Sequence, residues 1–411
     1  MDNVIDRNFI KLTFIGDIMC ELPLLKAAHT KKGYDFDSVF VGTTDLFNSA
    51  DYVVGNLETV FAGKSVGYTR SLYSFNTPDS FLDSLKRAGI DMCVTANNHC
   101  LDRGLDGLKR TLYELDKRGI SHIGTYLSKE ASDQIFVKDI KGFKIAFLAY
   151  TYGTGIKDNH VELPDDFSYS VNLLIPQKIG SPIKYSKVEG EVPYIKQFIS
   201  RLISEKKKLQ LKKMLKKPVG VPRMDSMWDE LIDEKLLEIL KSNIGKAKKQ
   251  ADYVILNIHN GGQFNSMPGD FSEYIMNFCV ESGADLVVGH HPHVVQKASF
   301  IANKLCAFSL GNYSISPSTP YMLFENLPQY SIALHVYIGK HFLIHYSFSI
   351  LKIVENRKGN LTIYDTYDLF QKCNEYNRMS LFKNIREIYC RFSQNSGENF
   401  NVKKEYRLYE Q

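Results

Sequence analysis

The sequence predicts an α/β protein in which strands buried on both faces alternate with helices. Six short apolar runs, rich in β-branched or aromatic residues, each end abruptly in a cluster of polar residues. Continuous apolar runs of this kind are typical of strands in a sheet that is covered by helices. Helical patterns with recognisable ends lie between several of the runs, as in α/β architectures. We therefore expect layered sheets flanked by helices.

The predicted strands are spread over most of the chain. With the polar residues that follow them, they are KLTFIGD (11–17), DYVVGNLE (51–58), DMCVTANNH (91–99), DYVILNIHNGG (252–262), DLVVGHHPH (285–293) and KLCAFSLGN (304–312). Because each run stops where polar residues begin, the polar clusters are expected at the strand ends.

Three helices are predicted between these strands. Thr77 and Pro78 are typical of an N-cap followed by a first-turn proline, and Gly89 stands just past the end of that helix. A second helix is predicted from Leu105 to Arg118, with a glycine directly after it. A third begins near Asp270 and ends at Gly283.

Residues 155–250 interrupt the alternation and are predicted to be an insertion. They contain a proline-punctuated loop, a helix-like segment over 199–218 and a helix from about Asp229 to Gln250. The lysine run from Lys206 to Lys217 is more typical of a solvated helix face than of a partner site. It lacks the interleaved aromatic residues with which single-strand binders stack on bases, so no nucleic-acid partner is expected.

The last part of the chain has the pattern of hairpins. Its apolar runs are SIALHVYI (331–338), HFLIHYSFSI (341–350) and LTIYD (361–365), separated by Gly339-Lys340 and Gly359-Asn360. We expect one domain over residues 1–330, including the insertion at about 155–250. Residues 331–411 are expected to supply C-terminal strands and a tail that complete the same domain.

Composition limits the class of protein. The 411 residues are 44% hydrophobic and 24% charged, close to the average for a soluble globular chain, and the net charge of +5 is too small to indicate a nucleic-acid partner. The seven cysteines are scattered and contain no Cys-x-x-Cys pair, which favours a reducing compartment. We find no signal peptide and no run approaching ~18 apolar residues, so a cytoplasmic location is expected.

The polar residues at the strand ends are the candidate functional site. Ligands of open α/β sheets bind beyond the carboxyl ends of the strands. The residues at those ends are Asp17, Asn56, Glu58, Asn97, Asn98, His99, His259, His290, His291 and His293. Imidazole suits zinc and iron, whereas carboxylate and amide oxygens suit harder ions such as manganese. The set predicts a site for one or two divalent ions (Mn, Zn or Fe).

Each of these motifs, taken alone, has an ordinary structural alternative. An aspartate after a strand is often a helix cap, and Asn or Glu often serves a turn. Asn98 could take the left-handed turn of a strand-to-helix connection, and His259 could merely precede a glycine turn. The HHPH motif could be a chance cluster in a surface loop. The alternatives are weaker together, because every cluster falls at the same topological place.

Six ordered motifs resemble the CapA, or poly-gamma-glutamate (PGA_cap), bacterial capsule-synthesis family, which is related in fold to the calcineurin-like metallophosphatases. The motifs are FIGDIM, GNLET, TANNHCLDRGLDGLKRTLYELDKRGI, HNGGQF, GADLVVGHHPHVVQ and FSLGNY. They cover roughly residues 10–150 and 250–315. The resemblance implies a metallophosphatase-like layered fold with the helical insertion and C-terminal hairpins described above.

The resemblance also implies roles for individual residues. The implied metal ligands are Asp17, Glu58, Asn98, His259, His291 and His293. His99 would contact the substrate and protonate the leaving group, with Asp102 holding its ring. The expected substrate-binding residues are Asn56, Asn97, His290 and Asn312.

Two positions depart from the related patterns. Metallophosphatases usually open with Asp-x-His, whereas this chain has Met19 at the third place. The family's His-x-Gly-x-Glu pattern ends here in Gln263. One ligand is therefore missing, and a single ion is as compatible with the pattern as two.

The resulting functional hypothesis is a phosphoesterase-type hydrolase linked to the synthesis of a capsular polymer such as poly-gamma-glutamate. Its partners would be a phosphorylated or polymer substrate and membrane-associated capsule machinery. The alternative is a non-catalytic scaffold or accessory protein of polymer assembly.

Overall fold

The computed structural model describes residues 9–177, 222–227, 232–339 and 344–409. Its strands, in chain order, are β1 (Phe9–Ile18), β2 (His29–Thr30), β3 (Gly33–Tyr34), β4 (Tyr52–Leu57), β5 (Met92–Val94), β6 (Ser121–Ile123), β7 (Phe136–Ile140), β8 (Phe143–Thr151), β9 (Tyr253–His259), β10 (Leu286–His290), β11 (Ala298–Ile301), β12 (Lys304–Ala307), β13 (Tyr330–Gly339), β14 (Ile344–Glu355), β15 (Leu361–Asp365) and β16 (Tyr406–Leu408).

The α-helices of the same residues are α1 (Leu22–Ala27), α2 (Asp37–Phe40), α3 (Thr44–Asn48), α4 (Ser80–Ala88), α5 (Gly104–Lys117), α6 (Lys129–Asp133), α7 (Ile156–Asn159), α8 (Glu234–Gln250), α9 (Asp270–Glu281), α10 (Thr366–Lys372) and α11 (Glu375–Ser393). None of these helices is long and apolar enough to cross a membrane.

Two large sheets form the centre of the protein. The first has the order β15-β14-β13-β1-β4-β5-β6, with β16 also paired to β14, and the second has the order β11-β12-β10-β9-β8-β7. The strands β1, β4, β5 and β6 run parallel, and so do β8, β9, β10 and β12. The strands that flank these parallel sets, β13 beside β1 and β7 beside β8, pair in the antiparallel direction.

Alternation along the strands divides the core into layers. In β8, Phe147 and Ala149 face a cluster shared with the first sheet, whereas Leu148 and Tyr150 face helices α8 and α9. A third cluster, which includes Ile15, covers the other face of the first sheet with helices α1 to α5. Side chains of a strand alternate between faces, so each sheet is buried on both sides. The α/β prediction, with layered sheets flanked by helices, is confirmed.

The helix boundaries agree with the sequence except at two N-termini. Helix α8 begins at Glu234 and not at about Asp229, because Asp233 caps it by accepting Leu236 N–H. Helix α4 begins at Ser80, and Gly89 ends it in the left-handed conformation as predicted. Thr77 does not cap this helix, because its hydroxyl is hydrogen-bonded to that of Thr59 at 2.7 Å. A side chain engaged in tertiary packing is not available as a cap, and the sequence pattern alone cannot show that engagement.

Part of the predicted insertion belongs to the layered core. Helix α8, 17 residues long, connects the parallel strands β8 and β9 and packs on the outer face of the second sheet. Residues Leu174 and Ile175 are buried in the same cluster. The helix-like segment over 199–218 and its lysine run lie outside the described residues.

Beyond residue 330 the chain returns to the first sheet. Strand β13 pairs with β1, and β14 pairs with β13, so these strands extend the sheet that carries Asp17. The turn predicted at Gly339-Lys340 begins where the described residues stop. Helix α11 was not anticipated from the sequence, and its buried residues Ile385 and Phe392 join the central cluster. The domain boundaries themselves stay a prediction.

Candidate metal centre

The carboxyl ends of strands from both sheets meet at one rim. Asp17 lies beside Asn56 in the pairing of β1 with β4, and His259 lies beside His290 in the pairing of β9 with β10. The side chain of Asn56 links the two sheets, because its Nδ2 donates to Asp17 Oδ1 at 2.8 Å and lies 3.2 Å from His259 Nδ1. The rim predicted from the sequence therefore exists as one buried cluster.

A glycine contact places Asp17 at this rim. The register of β1 against β4 shifts between Ile15 and Asp17, where Gly16 lies. A β-carbon on Gly16 would stand 1.8 Å from the carbonyl oxygen of Gly311, so only glycine permits this approach. The Asp17 backbone N–H donates to the same carbonyl at 3.0 Å. The close packing of two chain segments thus fixes the position of the carboxylate.

Asp17 is surrounded by imidazoles and is fully buried. Its Oδ2 lies 3.1 Å from His293 Nδ1, and its Oδ1 lies 3.6 Å from His290 Nδ1. Burial opposes ionisation of this group, but the adjacent imidazoles of His290 and His293 outweigh it and hold the pKa of Asp17 well below its usual range. Asp17 is therefore an anionic donor.

Glu58 stands at the centre of the cluster. Its Oε1 lies 3.5 Å from His259 Nε2, 3.8 Å from His293 Nε2 and 3.9 Å from His99 Nε2. Burial, followed by the charges of nearby carboxylates such as Asp17, raises the pKa of Glu58 well above its usual value. Among the described residues, neither Glu58 oxygen has a hydrogen-bond partner. A buried carboxyl group without partners is costly, so the site favours a cation here.

Glu58 belongs to two overlapping groups of potential metal ligands. Ligand atoms of Asp17, Glu58 and His259 all lie within 4.8 Å of one another, and so do those of Glu58, His291 and His293. Asn98 Oδ1 adds a further donor, 2.7 Å from His259 Nε2. Oxygen and imidazole donors at such separations fit a divalent ion, and the shared Glu58 would allow two.

The HHPH segment is buried and has an unusual backbone. His291 has φ 97° and His293 has φ 58°, a region that residues other than glycine rarely adopt. Burial lowers the pKa of His291 to about 3, and the charge of His293 adds to this effect. Burial likewise lowers the pKa of His259 well below its usual value. The surface-loop alternative is therefore wrong, and both rings are neutral, which is the form that ligates metals.

His99 points its two ring nitrogens at different partners. Nδ1 lies 2.9 Å from Asp102 Oδ2, and Nε2 faces Glu58 at 3.9 Å. The same Asp102 oxygen accepts the backbone N–H of Phe75 at 2.6 Å, and the Phe75 ring packs edge-on against His99 with centroids 4.5 Å apart. These contacts fix the ring and direct Nε2 into the cluster.

The residues predicted to bind substrate differ in what their polar atoms do. Asn97 spends both ends of its amide within the loop, because Nδ2 donates to Leu57 O at 2.7 Å and Oδ1 accepts His99 N–H at 3.1 Å. Asn97 therefore shapes the turn, and its role in substrate binding stays a prediction. Asn312 Nδ2 donates to Pro328 O at 3.1 Å, and among the described residues its Oδ1 has no hydrogen-bond partner. Among the described residues, His290 has no hydrogen bond at either ring nitrogen.

Asn98 does not form the left-handed turn that was one alternative, since its φ is not positive.

Met19, at the position where metallophosphatases have histidine, is buried in an apolar cluster with Phe75, Phe264 and Val294. It packs beside the site and offers no strong donor to a hard ion. Met19 therefore contributes to apolar packing at the position where a metallophosphatase would have a metal ligand.

Aromatic residues around the site were missed in the sequence. The ring centroids of Tyr152 and His291 are 4.8 Å apart, and those of Phe264 and His293 are 6.0 Å apart. Phe264 also takes a positive φ of 60° and donates its N–H to Pro292 O at 2.7 Å. The only signal for Phe264 was its place in HNGGQF. Tyr152 lies beyond a strand that the sequence analysis did not identify.

The fold and the site define a metallophosphatase-like layered α/β protein, with histidine and carboxylate side chains at the carboxyl ends of its strands. Residues 11–317 match the bacterial capsule synthesis protein family PGA_cap, and the chain belongs to that family. This finding confirms the resemblance carried by the six motifs.

Relatives from several bacteria share a quarter or less of the sequence. The PGA biosynthesis protein CapA of Bacillus subtilis (strain 168) is 25% identical over 74% of this chain and 63% of its own length. The capsule biosynthesis protein CapA of Bacillus anthracis is 23% identical over 74% of this chain and 59% of its own length. An uncharacterized protein of Sinorhizobium fredii, y4sH, is 25% identical over 76% and 67%. The chain spans less than two thirds of the length of the two CapA proteins.

Proposed function

We propose that this chain is a metal-dependent hydrolase of the phosphoesterase type that acts in the synthesis of a capsular polymer, such as one related to poly-gamma-glutamate. The observation that carries the proposal is the position of Glu58, whose two oxygens have no hydrogen-bond partner among the described residues and whose Oε1 lies 3.5–3.9 Å from three imidazoles. The names of the two CapA relatives support the link to capsule synthesis.

The residues that would hold the ion are Asp17, Glu58, Asn98, His259, His291 and His293. A divalent ion there would supply Lewis-acid polarisation of a phosphoryl group. Manganese, zinc and iron all fit this mixture of oxygen and imidazole donors.

The chain itself supplies proton transfer through His99. Asp102 holds Nδ1 at 2.9 Å, which leaves Nε2 to carry the proton that a leaving oxygen receives. The buried surroundings, with Phe75 against the ring, exclude water from that transfer. The neighbouring His290 and Asn56 would orient the substrate, since both lie against Asp17.

The test combines metal analysis with hydrolysis of an aryl phosphate in the presence of Mn²⁺, Zn²⁺ or Fe²⁺. We expect bound metal near stoichiometry and metal-dependent hydrolysis in the unmodified protein. Asp17→Asn should lower both, whereas Asp106→Asn, a matched change at an exposed aspartate, should lower neither. Absence of bound metal in every preparation would overturn the proposal.

A second candidate is a non-catalytic scaffold or accessory protein of polymer assembly, with membrane-associated capsule machinery as its partner. The burial of Met19 in an apolar cluster favours it, because the first ligand motif is incomplete. Stoichiometric metal without hydrolysis of any phosphoester would support this candidate over the enzyme.

A further inference from the structure

A buried carboxylate from the inserted region contacts the segment that follows His259. Asp225 belongs to the short described stretch 222–227 and is fully buried. Its Oδ2 accepts the backbone N–H of Gly269 at 2.6 Å, and its Oδ1 accepts that of Ser272 at 2.9 Å. Helix α9 has no capping side chain of its own, so Asp225 provides the cap from a distant part of the chain.

The contact continues toward the metal centre through one serine. Ser272 Oγ donates to Asp225 Oδ1 at 2.7 Å and accepts from Asn260 Nδ2 at 3.2 Å. Asn260 directly follows His259, and its backbone N–H donates to His290 O at 3.2 Å. A continuous chain of hydrogen bonds therefore joins Asp225 to the residues beside two imidazoles of the site.

The backbones also approach closely here. A β-carbon on Gly269 would stand 2.2 Å from the carbonyl oxygen of Asp225, although the φ of −97° suits any residue. A β-carbon on Gly261, where φ is +112°, would stand 3.6 Å from Asp225 Oδ2. The segment that carries Asp225 thus packs directly against the loop between His259 and helix α9.

We propose that Asp225 is a positioning residue of the metal centre, through which the inserted region holds His259 and its loop in place for metal binding. This inference rests on the proposed metal site. It gives the inserted region a role at the site, beyond its packing on the second sheet. Partners outside the ligand shell commonly change metal affinity by ~10–100-fold when they are removed.

The test measures Mn²⁺ affinity by titration calorimetry in matched pairs of variants. Asp225→Asn keeps the shape but replaces one acceptor oxygen by a donor, and its control is Asp233→Asn, because Asp233 caps helix α8 by accepting Leu236 N–H at 3.0 Å. We expect Asp225→Asn to weaken Mn²⁺ binding by ~10-fold or more, and Asp233→Asn to leave it unchanged. A purely structural cap would lower the melting temperature in both variants and leave the affinity alone.

A steric variant keeps the Asp225 carboxylate intact. Gly269→Ala places a methyl group against the Asp225 backbone, and Gly245→Ala, where nothing lies within 4 Å, is its control. We expect weaker Mn²⁺ binding for Gly269→Ala only. Amide hydrogen exchange of residues 259–265, measured without metal, should be faster in Asp225→Asn and Gly269→Ala than in their controls.

The outcomes separate the two levels of inference. Unchanged Mn²⁺ affinity and unchanged exchange in Asp225→Asn would overturn the role of Asp225 and leave the metal site standing. No Mn²⁺ binding by the unmodified protein would overturn the proposed function, and with it the positioning role.

Discussion

The two sheets contribute different chemistry to the same rim. The first sheet supplies the oxygen donors Asp17, Asn56, Glu58 and Asn98, and the second supplies the imidazoles His259, His290, His291 and His293. Burial acts on the two sets in opposite ways, because it raises the pKa of Glu58 and lowers that of His259 and His291. The rings of His259 and His291 are already in the neutral form that binds metals, whereas Glu58 must first lose a proton. Metal binding therefore requires the release of a proton from Glu58, a residue of the first sheet.

The largest expected effect is that of Glu58→Gln, which removes the donor common to both ligand groups. The change keeps the volume but removes the anion, and we expect it to weaken Mn²⁺ binding by more than the ~10–100-fold typical of residues outside the ligand shell. Metal analysis after dialysis provides the measurement. The control is Glu114→Gln. Glu114 is a buried glutamate of helix α5 that pairs with Arg118, and this variant should keep its metal. Retention of metal by Glu58→Gln would contradict a shared donor.

A second prediction separates proton transfer from ligation. His99→Ala should lower hydrolysis by ~10²–10⁴-fold while the metal content stays near that of the unmodified protein, because Nε2 carries a proton and does not need to bind the ion. His291→Ala should lower both quantities. Parallel metal analysis and aryl phosphate kinetics check the pair, and an equal loss of metal in the two variants would place His99 among the ligands.

The pH dependence of metal affinity tests whether Glu58 or an imidazole releases a proton when the ion binds. While Glu58 is protonated, each ion that binds must displace one proton, so affinity should rise about tenfold per pH unit below the raised pKa of Glu58. His291, with a pKa of about 3, adds no slope near neutrality. Mn²⁺ titrations at several pH values provide the measurement. A change of slope in Mn²⁺ affinity near about pH 6.5, the usual range for imidazole, would show instead that a histidine of the second sheet releases the proton.

The smallest expected effect concerns a buried polar network on the first sheet that, unlike the site, is well paired. Glu405 accepts the hydroxyl protons of Tyr337, at 2.7 Å, and Ser347, and its Oε2 lies 3.3 Å from Lys11 Nζ. Burial opposes its ionisation, but the charges of His335 and Lys11 and the two hydrogen bonds lower the pKa of Glu405 from 4.5 to about 2.

Because this folded-state pKa is depressed, the ionised form stabilises the fold above about pH 4.5, and that contribution is lost as the pH falls through about 2. The side chain is 33% exposed, which reduces the effect, so Glu405→Gln should lower the free energy of unfolding by about 1–2 kcal/mol at neutral pH and by nothing near pH 2. Denaturant titrations across this range check the trend, with the exposed Glu398→Gln as control. A pH-independent difference would contradict it.

The sequence predicted the rim better than it predicted the rest of the fold. Apolar runs such as those before Asp17 and His259 are buried strands, and polar residues that follow parallel strands must share an edge. Strands β7 and β8 were missed, because charged residues such as Lys138, Asp139 and Lys144 interrupt their apolar runs. Helix α11 was missed because its apolar residues are spaced among many charged ones.

The parts of the site that escaped prediction depend on tertiary contacts. Nothing in the local sequence shows that Asn97 would bond to Leu57 and His99, or that Asp225 would reach the start of helix α9. Both contacts join segments far apart in the chain, and one sequence contains no record of which distant segments meet.

The approach of Gly16 to Gly311 has a consequence for reading genetic data on this protein. A methyl group at position 16 would collide with a carbonyl oxygen and displace the neighbouring carboxylate, although residue 16 has no side-chain chemistry of its own. Loss of function on changing this glycine would resemble the loss of an active-site acid. Mutational scans of the chain should therefore show Gly16 and Gly311 to be as sensitive to substitution as Asp17, the residue that they position.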